Sequence, residues 1–256
     1  DFSAVVTFLS RHQAQQEAIE SLSNAILKAI ESGSDEIVMK DLLDDTDQRF
    51  RLKYVLGGWT PPKSKAGGSS SFGGAIKTCA ASRCTENSPF LRDVLASIRA
   101  IAATARGEVE PILGNLGDLK DEDRNYALDE MQRAAEATEE FQDVVNAIME
   151  EIEARFSGLP EGKFSKSSTG WPEAWTWSAP DAERDAFLKA VRWFCSNYKE
   201  EWGALLTPLV TGIRVYGPFR PDWAEVGANY DHVFVDTQGL DHEKPTTELC
   251  SETTSI

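Results

Sequence analysis

The chain opens on a two-residue rhythm. Phe2, Ala4, Val6 and Phe8 alternate with Ser3, Val5 and Thr7, the period of a strand with one strongly apolar face. The rhythm then lengthens: Ile19, Leu22, Ile26 and the pair Ala29/Ile30 recur at three- and four-residue steps between Arg11 and Ser32, with Ser10 ahead of the run and Gly33 behind it. That spacing predicts a helix with Ser10 as its N-cap and Gly33 closing it. Asp35 to Leu43 and Thr46 to Leu56 read as shorter helical pieces, with acids near their starts where the helix dipole favours negative charge. From Gly57 to Ser88 the composition turns to Gly, Ser, Pro and Lys, with Gly67-Gly68-Ser69-Ser70-Ser71 and Gly73-Gly74 at its centre. This is linker chemistry and predicts a mobile loop.

The helical period resumes from Pro89 to Arg106 through Leu91, Val94/Leu95, Ile98, Ile101/Ala102 and Ala105, and Glu108-Val109-Glu110-Pro111 interrupts it. Lys120 to Phe156 reads as one longer helix. Leu128, Met131, Ala135, Phe141, Val145, Ile148, Ile152 and Phe156 form its apolar side, and dense Glu and Asp the other. Such a stripe is core or a seam for a partner helix, and the acidic face is a solvated surface. Ser157 to Ala179 reads as a second loop region carrying Trp171, Trp175 and Trp177. A helix then runs from Pro180 to about Trp202, with Phe187/Leu188, Val191, Phe194/Cys195, Tyr198 and Trp202 along one side. The tryptophans are expected to pack against that aromatic stripe. Beyond Gly203 the period shortens again. Ile213-Arg214-Val215-Tyr216 alternates, Gly217-Pro218 breaks it, and after a polar loop from Arg220 to Asn229 the run Val233 to Val235 forms a strand, so the two read as a hairpin.

Composition narrows what such a chain can do. Its 256 residues and 41% hydrophobic content supply a real core. A formal charge of −16 argues against nucleic acid and against an anionic membrane surface, both of which need clustered Lys and Arg. The four cysteines, Cys79, Cys84, Cys195 and Cys250, are too scattered for a disulfide framework and fit a reducing, cytoplasmic compartment. Cys79 and Cys84 have zinc-pair spacing, but no second pair follows. No apolar run approaches the roughly 20 residues that span a bilayer, and no signal peptide opens the chain. A chain that starts inside a strand-like segment at Asp1 and stops at Ile256 without a terminating element reads as cut from something longer.

Candidate chemistry concentrates in Asp231-His232-Val233-Phe234-Val235-Asp236-Thr237-Gln238-Gly239, an apolar strand ending in the chain's only Asp-x-x-Gly. An Asp at a strand end can hold magnesium through a water. A Gly beyond it lets the backbone N–H approach a γ-phosphate and swing away after hydrolysis. The bland reading of the same residues is a turn after an edge strand. Three histidines, His12, His232 and His242, lie far apart, and neither Gly-x-Ser-x-Gly nor His-Glu-x-x-His occurs.

With Leu205-Leu206-Thr207-Pro208-Leu209-Val210 and Gly212-Ile213-Arg214-Val215-Tyr216 ahead of it, this C-terminal stretch resembles the switch region of a P-loop GTPase, dynamin-like or large bacterial members above all. The resemblance implies that Thr207, or less readily Thr211, ligates magnesium through its hydroxyl. By the same resemblance Asp236 holds the ion, and Asp236, Thr237 and Gly239 meet the nucleotide, GTP with ATP left open. Leu240 stands where Ras-like relatives place a water-orienting Gln, so Gln238 and His242 become the candidates for positioning the attacking water. The phosphate cradle itself is missing. Gly158-Leu159-Pro160-Glu161-Gly162-Lys163-Phe164 is one residue short between its glycines and carries Phe where Ser or Thr should bind magnesium. The base-reading Asn-Lys-x-Asp is absent as well.

The expected fold is therefore mainly α with a small β element, α+β. Residues 1–9 supply a strand of a partial nucleotide-binding domain, 10–203 a helical insertion containing the 57–88 loop, and 204–256 a switch-region hairpin. On this reading the phosphate loop precedes Asp1 and the base reader follows Ile256, so hydrolysis belongs to an intact protein and not to these residues alone. The competing expectation is a non-enzymatic acidic helical bundle that binds a protein partner through its helical faces.

Overall fold

A computed structural model describes residues 2–43, 50–60, 88–159, 162–179 and 184–217. These fold as α+β: mostly helix, with one four-stranded antiparallel sheet in the order β2-β3-β1-β4. Strand β1, Phe2–Phe8, lies inside the sheet. It is flanked by β3, Pro172–Ala179, on one side and by β4, Val210–Tyr216, on the other. Strand β2, Lys163–Lys166, pairs with β3 at the far edge. The alternation in β1 does what its period demands: Phe2, Ala4, Val6 and Phe8 are buried, and the residues between them face outward.

Helix α1, Arg11–Glu31, starts at a capping box: the Ser10 hydroxyl accepts from the Gln13 N–H while the Gln13 side chain accepts from the Ser10 N–H. It ends at Ser32, one residue before the expected glycine, with the Ser32 N–H on the Lys28 carbonyl. Helix α2, Asp35–Leu43, has the predicted bounds, and α3 is the short Leu52–Leu56. Of the Gly57 to Ser88 stretch expected to be a loop, residues 61–87 lie outside the described residues.

Three helix boundaries differ from the sequence expectation, each for a local reason. Helix α4, Pro89–Leu113, continues through Pro111 instead of stopping near Arg106. Pro111 forfeits the bond its N–H would have made and sets its ring against the Gly107 carbonyl, but only two helical residues follow it. Val109 meanwhile extends the buried stripe of Ala102 and Ala105, and Arg106 pairs with Glu110 at 2.7 Å. The long 120–156 helix is two, α5 at Asp121–Glu136 and α6 at Glu139–Phe156. Thr138 separates them: its hydroxyl accepts from the Phe141 N–H at 3.2 Å and donates to the Ala135 carbonyl at 2.8 Å. Helix α7 is Arg184–Cys195, shorter than the expected run to Trp202. Buried Ser196 ends it, with its hydroxyl on Glu201 at 2.6 Å and accepting from the Tyr198 N–H.

A fourth difference concerns the Ser157 to Ala179 region, which holds a hairpin and not a loop. Strands β2 and β3 turn at residues 167–170, where Ser167 and Trp171 bond across the turn at 2.8 Å and Gly170 takes φ +87°. Small and polar residues in Lys163–Lys166 hid the strand period. Two of the three tryptophans pack on α7 as expected, Trp175 on Phe194 with centroids 4.8 Å apart and Trp177 stacked on Phe187 at 5.6 Å, whereas Trp171 packs on Phe156 of α6 at 5.5 Å and its Nε1 donates to the Leu9 carbonyl at 2.8 Å. Phe8 adds ring contacts to Phe156 and Phe194, so one aromatic layer ties β1, β3, α6 and α7 together.

The helices α1 to α6 bury a second, aliphatic region continuous with that layer. Met131 and Ala135 of α5 and Phe141, Val145, Ile148, Ile152 and Phe156 of α6 are buried, so the stripe read in the sequence is core except at Leu128, which is partly buried against it while Ala127 takes the buried position. No helix among the described residues is long and apolar enough to cross a membrane.

Candidate functional site

Of the residues the sequence singled out, Asp236, Thr237, Gln238, Gly239 and His242 lie outside the described residues, as does the 233–235 strand expected to pair with β4. Thr207 is inside them. It opens a 3-10 turn, Thr207–Leu209, that leads directly into β4. Leu206 and Leu209 are buried, the Leu206 N–H reaches the Trp193 carbonyl at 2.9 Å, and the Leu9 N–H reaches the Leu209 carbonyl at 2.8 Å. The turn is thereby fixed to α7 and to the end of β1. The Thr207 hydroxyl donates to the Ser196 carbonyl at 2.9 Å. Its proton is committed to the protein, and its lone pairs are the part able to meet a cation. Thr211, the weaker alternative, donates to the Thr7 hydroxyl across the β1–β4 pair at 2.9 Å. Among the described residues no cluster of three or more His, Cys, Asp or Glu forms a metal centre. Cys195 is the one cysteine among them, and it is not in a disulfide.

A different constellation, which the sequence did not suggest, surrounds a cavity of about 540 Å³. Its wall is built from the end of α3 with Gly57 and Gly58, the start of α4 at Ser88 and Leu91, Arg155 of α6, Lys189, Arg192 and Trp193 of α7, and the segment from Glu200 to Leu205. That segment is tied down by the Tyr54 carbonyl, which accepts from the N–H groups of both Gly203 and Leu205 at 2.9 and 3.0 Å. The attachment requires glycine on both sides. Gly57 and Gly203 hold φ of +98° and +89°, and a Cβ on Gly203 would sit 3.4 Å from the Gly57 Cα.

Charge around the cavity is unlike the chain as a whole. Arg155 is partly spent, its Nε donating to the Val55 carbonyl at 3.1 Å and its guanidinium pairing with Glu151. Arg192 pairs with Glu201 at 2.7 Å and lies over the Tyr198 ring. Lys189 has no ion-pair partner among the described residues. Lys53 stands 4.6 Å from the Trp202 ring centroid, with Lys199 at 5.8 Å, and burial pushes the Lys53 ammonium below its ordinary pKa. Trp202 lines the cavity while its Nε1 is buried without a hydrogen-bond partner, as is that of Trp59. Cys195 reaches solvent, yet the protein around its sulfur pushes the thiol pKa up. Arg192 pulls it down and Glu201 adds to the rise.

Five separated stretches make this wall, and the sequence signals in them were individually mute: paired glycines read as linker, and Trp202 read as the last member of a helix stripe. Comparison of the chain with protein-family models, with curated proteins and with solved structures finds no match.

Proposed function

We propose that these residues are part of a nucleotide-dependent switch protein, GTPase-like, in which magnesium and GTP meet Thr207 on one side and Asp236, Thr237 and Gly239 on the other. One observation carries the reading: β1 from the start of the chain and β4, directly behind Thr207, lie side by side and antiparallel. Strands read as parts of one nucleotide-binding domain are thus neighbours despite some 200 intervening residues. Support also comes from the outer edge of β4, where Val215 and Tyr216 are exposed among the described residues. The next apolar run in the sequence is the one that ends in Asp236. Gln238 and His242 remain the candidates for orienting water, and the phosphate cradle has to come from residues other than these 256, which contain no Walker A string.

The competing interaction module would work through the helical faces. The apolar stripe of α5 and α6 is consumed by the core, which leaves only their acid-rich faces for a partner.

The test is nucleotide binding and turnover by a protein extended upstream until it includes a Gly-x-x-x-x-Gly-Lys-Ser/Thr. Magnesium-dependent GTP affinity and hydrolysis are measured beside ATP, for the parent and for Asp236→Ala and Thr207→Val. Loss of magnesium-dependent binding or of turnover in Asp236→Ala is the expected result. Thr207→Val is expected to lose turnover and also about 1 kcal/mol of stability with its hydrogen bond to Ser196. Absence of any such upstream string, or unchanged affinity and turnover in Asp236→Ala, removes the proposal.

A further inference from the structure

We propose that the cavity between α3, α7 and the Glu200 to Leu205 segment is a binding site for an uncharged, largely apolar small molecule the size of a fused-ring pair. This site is separate from the nucleotide reading and does not rest on it.

Size comes first. About 540 Å³ falls within the roughly 300–1,000 Å³ of ordinary small-molecule sites, which bury most of their ligand. The depth of the wall then selects the body of the ligand. Leu56, Leu91 and Leu205 line the cavity although they are 4%, 0% and 2% exposed, so its floor is aliphatic. Trp193 and Ala204 add to that wall. An apolar body covers such a floor, whereas a sugar or a free phosphate would give up its hydrogen bonds to water there and regain few.

Charge selects the rest. The chain carries −16, but the charges on this wall cancel. Arg155 pairs with Glu151 and Arg192 with Glu201, which leaves Lys189 and Glu200, one of each sign. Both are exposed and so stand at the rim, away from the leucine floor. An ionic ligand of either sign thus meets one attractive and one repulsive group on the same wall, and still has to shed water to enter. A neutral ligand avoids that cost.

The shape is fixed before a ligand arrives. The Tyr54 carbonyl holds the N–H groups of Gly203 and Leu205, the Leu206 N–H reaches the Trp193 carbonyl, and the Arg155 Nε reaches the Val55 carbonyl. These bonds tie α3, α6, α7 and the Glu200 to Leu205 segment to one another, so binding loses little conformational freedom.

The experiment uses the full 256-residue chain. 2-Naphthylmethanol, naphthalene-2-carboxylate, 2-naphthylmethylammonium and 3-(2-naphthyl)alanine share one ring body and are neutral, anionic, cationic and zwitterionic. Benzyl alcohol keeps the hydroxyl and removes a ring. Each is titrated by calorimetry and by following backbone 1H–15N resonances, among which Gly57, Gly58 and Ala204 report on the wall. The naphthyl alcohol is expected to bind most tightly, with each charged probe weaker by about three- to ten-fold. Benzyl alcohol is expected to bind about ten-fold or more weakly, since it buries one ring fewer. Lys189→Gln is expected to leave the naphthyl alcohol within about two-fold of the parent. Ala204→Leu, with its fold checked by circular dichroism, is expected to weaken it by filling part of the cavity. A charged or zwitterionic probe that binds more tightly than the alcohol, equal affinity for benzyl alcohol, shifts confined to residues away from the wall, or no binding by the parent overturns the proposal.

Discussion

Replacing Gly162 by alanine tests the packing logic of the sheet at its tightest point. Gly162 precedes β2 with φ +88°, and a Cβ placed there would lie 2.2 Å from Nε1, 2.4 Å from Cε2 and 2.7 Å from Cζ2 of Trp175. Ordinary contact begins near 3.4 Å, so either the indole or the strand has to retreat by more than 1 Å. The indole has nowhere to go. Trp175 is fully buried, opposite Val6 in the register of β1 and β3, with the Phe194 ring 4.8 Å away. Two costs therefore add. Holding a residue with a Cβ in the left-handed region takes about 1–2 kcal/mol, and overpacking a filled core takes about 1–3 kcal/mol.

Gly170 separates these costs. Its φ is +87°, almost the same as that of Gly162, but a Cβ there meets nothing within 4 Å. Gly170→Ala is expected to lose only the backbone part, about 1–2 kcal/mol, and Gly162→Ala about 2–5 kcal/mol. Gly107 completes the series. It lies inside α4 with open space around its Cα, so Gly107→Ala should stabilise by up to about 1 kcal/mol. Urea titrations followed in parallel by near-ultraviolet and far-ultraviolet circular dichroism give the three differences against the parent. If Gly162→Ala costs no more than Gly170→Ala, the close approach of Gly162 to Trp175 is not a stabilising constraint and the argument fails. The result also bears on the Gly158 to Phe164 string, since a glycine held by an indole is a packing residue and not part of a phosphate cradle.

Two further outcomes are expected. Thr138→Ala removes the cap that separates α5 from α6 and should cost about 1 kcal/mol, read as a fall in Tm of about 2–4 °C, whereas Thr138→Ser should retain most of it. In a Cys79→Ser, Cys84→Ser, Cys250→Ser background, the rate of Cys195 alkylation against pH should rise later than for a free cysteine, because burial disfavours the thiolate. Glu201→Gln should move that curve to lower pH and Arg192→Gln to higher pH; movement in the opposite directions refutes the assignment of causes.

Which parts of the structure were legible follows from how far each signal reaches along the chain. Strand β1 and helix α1 were readable because period, cap and termination lie within consecutive residues, Phe2 to Phe8 and Ser10 to Ser32. The α5–α6 junction was legible only as a gap that the reading of one helix over 120–156 passed over: the buried positions jump from Ala135 to Phe141, and a continuous helix would need an apolar residue near 138 or 139, where Thr138 and Glu139 stand. The hairpin of β2 and β3 was not, because Phe164 is the only large apolar residue in β2 and its partner Trp175 is eleven residues away. The same limit governs function. A contiguous string such as Asp236-Thr237-Gln238-Gly239 announces a chemistry without its surroundings, and the cavity announces surroundings without a string. Trp202 shows why. Helical period places it on the stripe of α7, but Ser196 ends that helix and the Gly203 attachment to Tyr54 carries the indole across to Gly58, Lys53 and Tyr54. Local rules fail at the residue that the cavity uses, and a departure from local consistency is where a binding role is to be sought first.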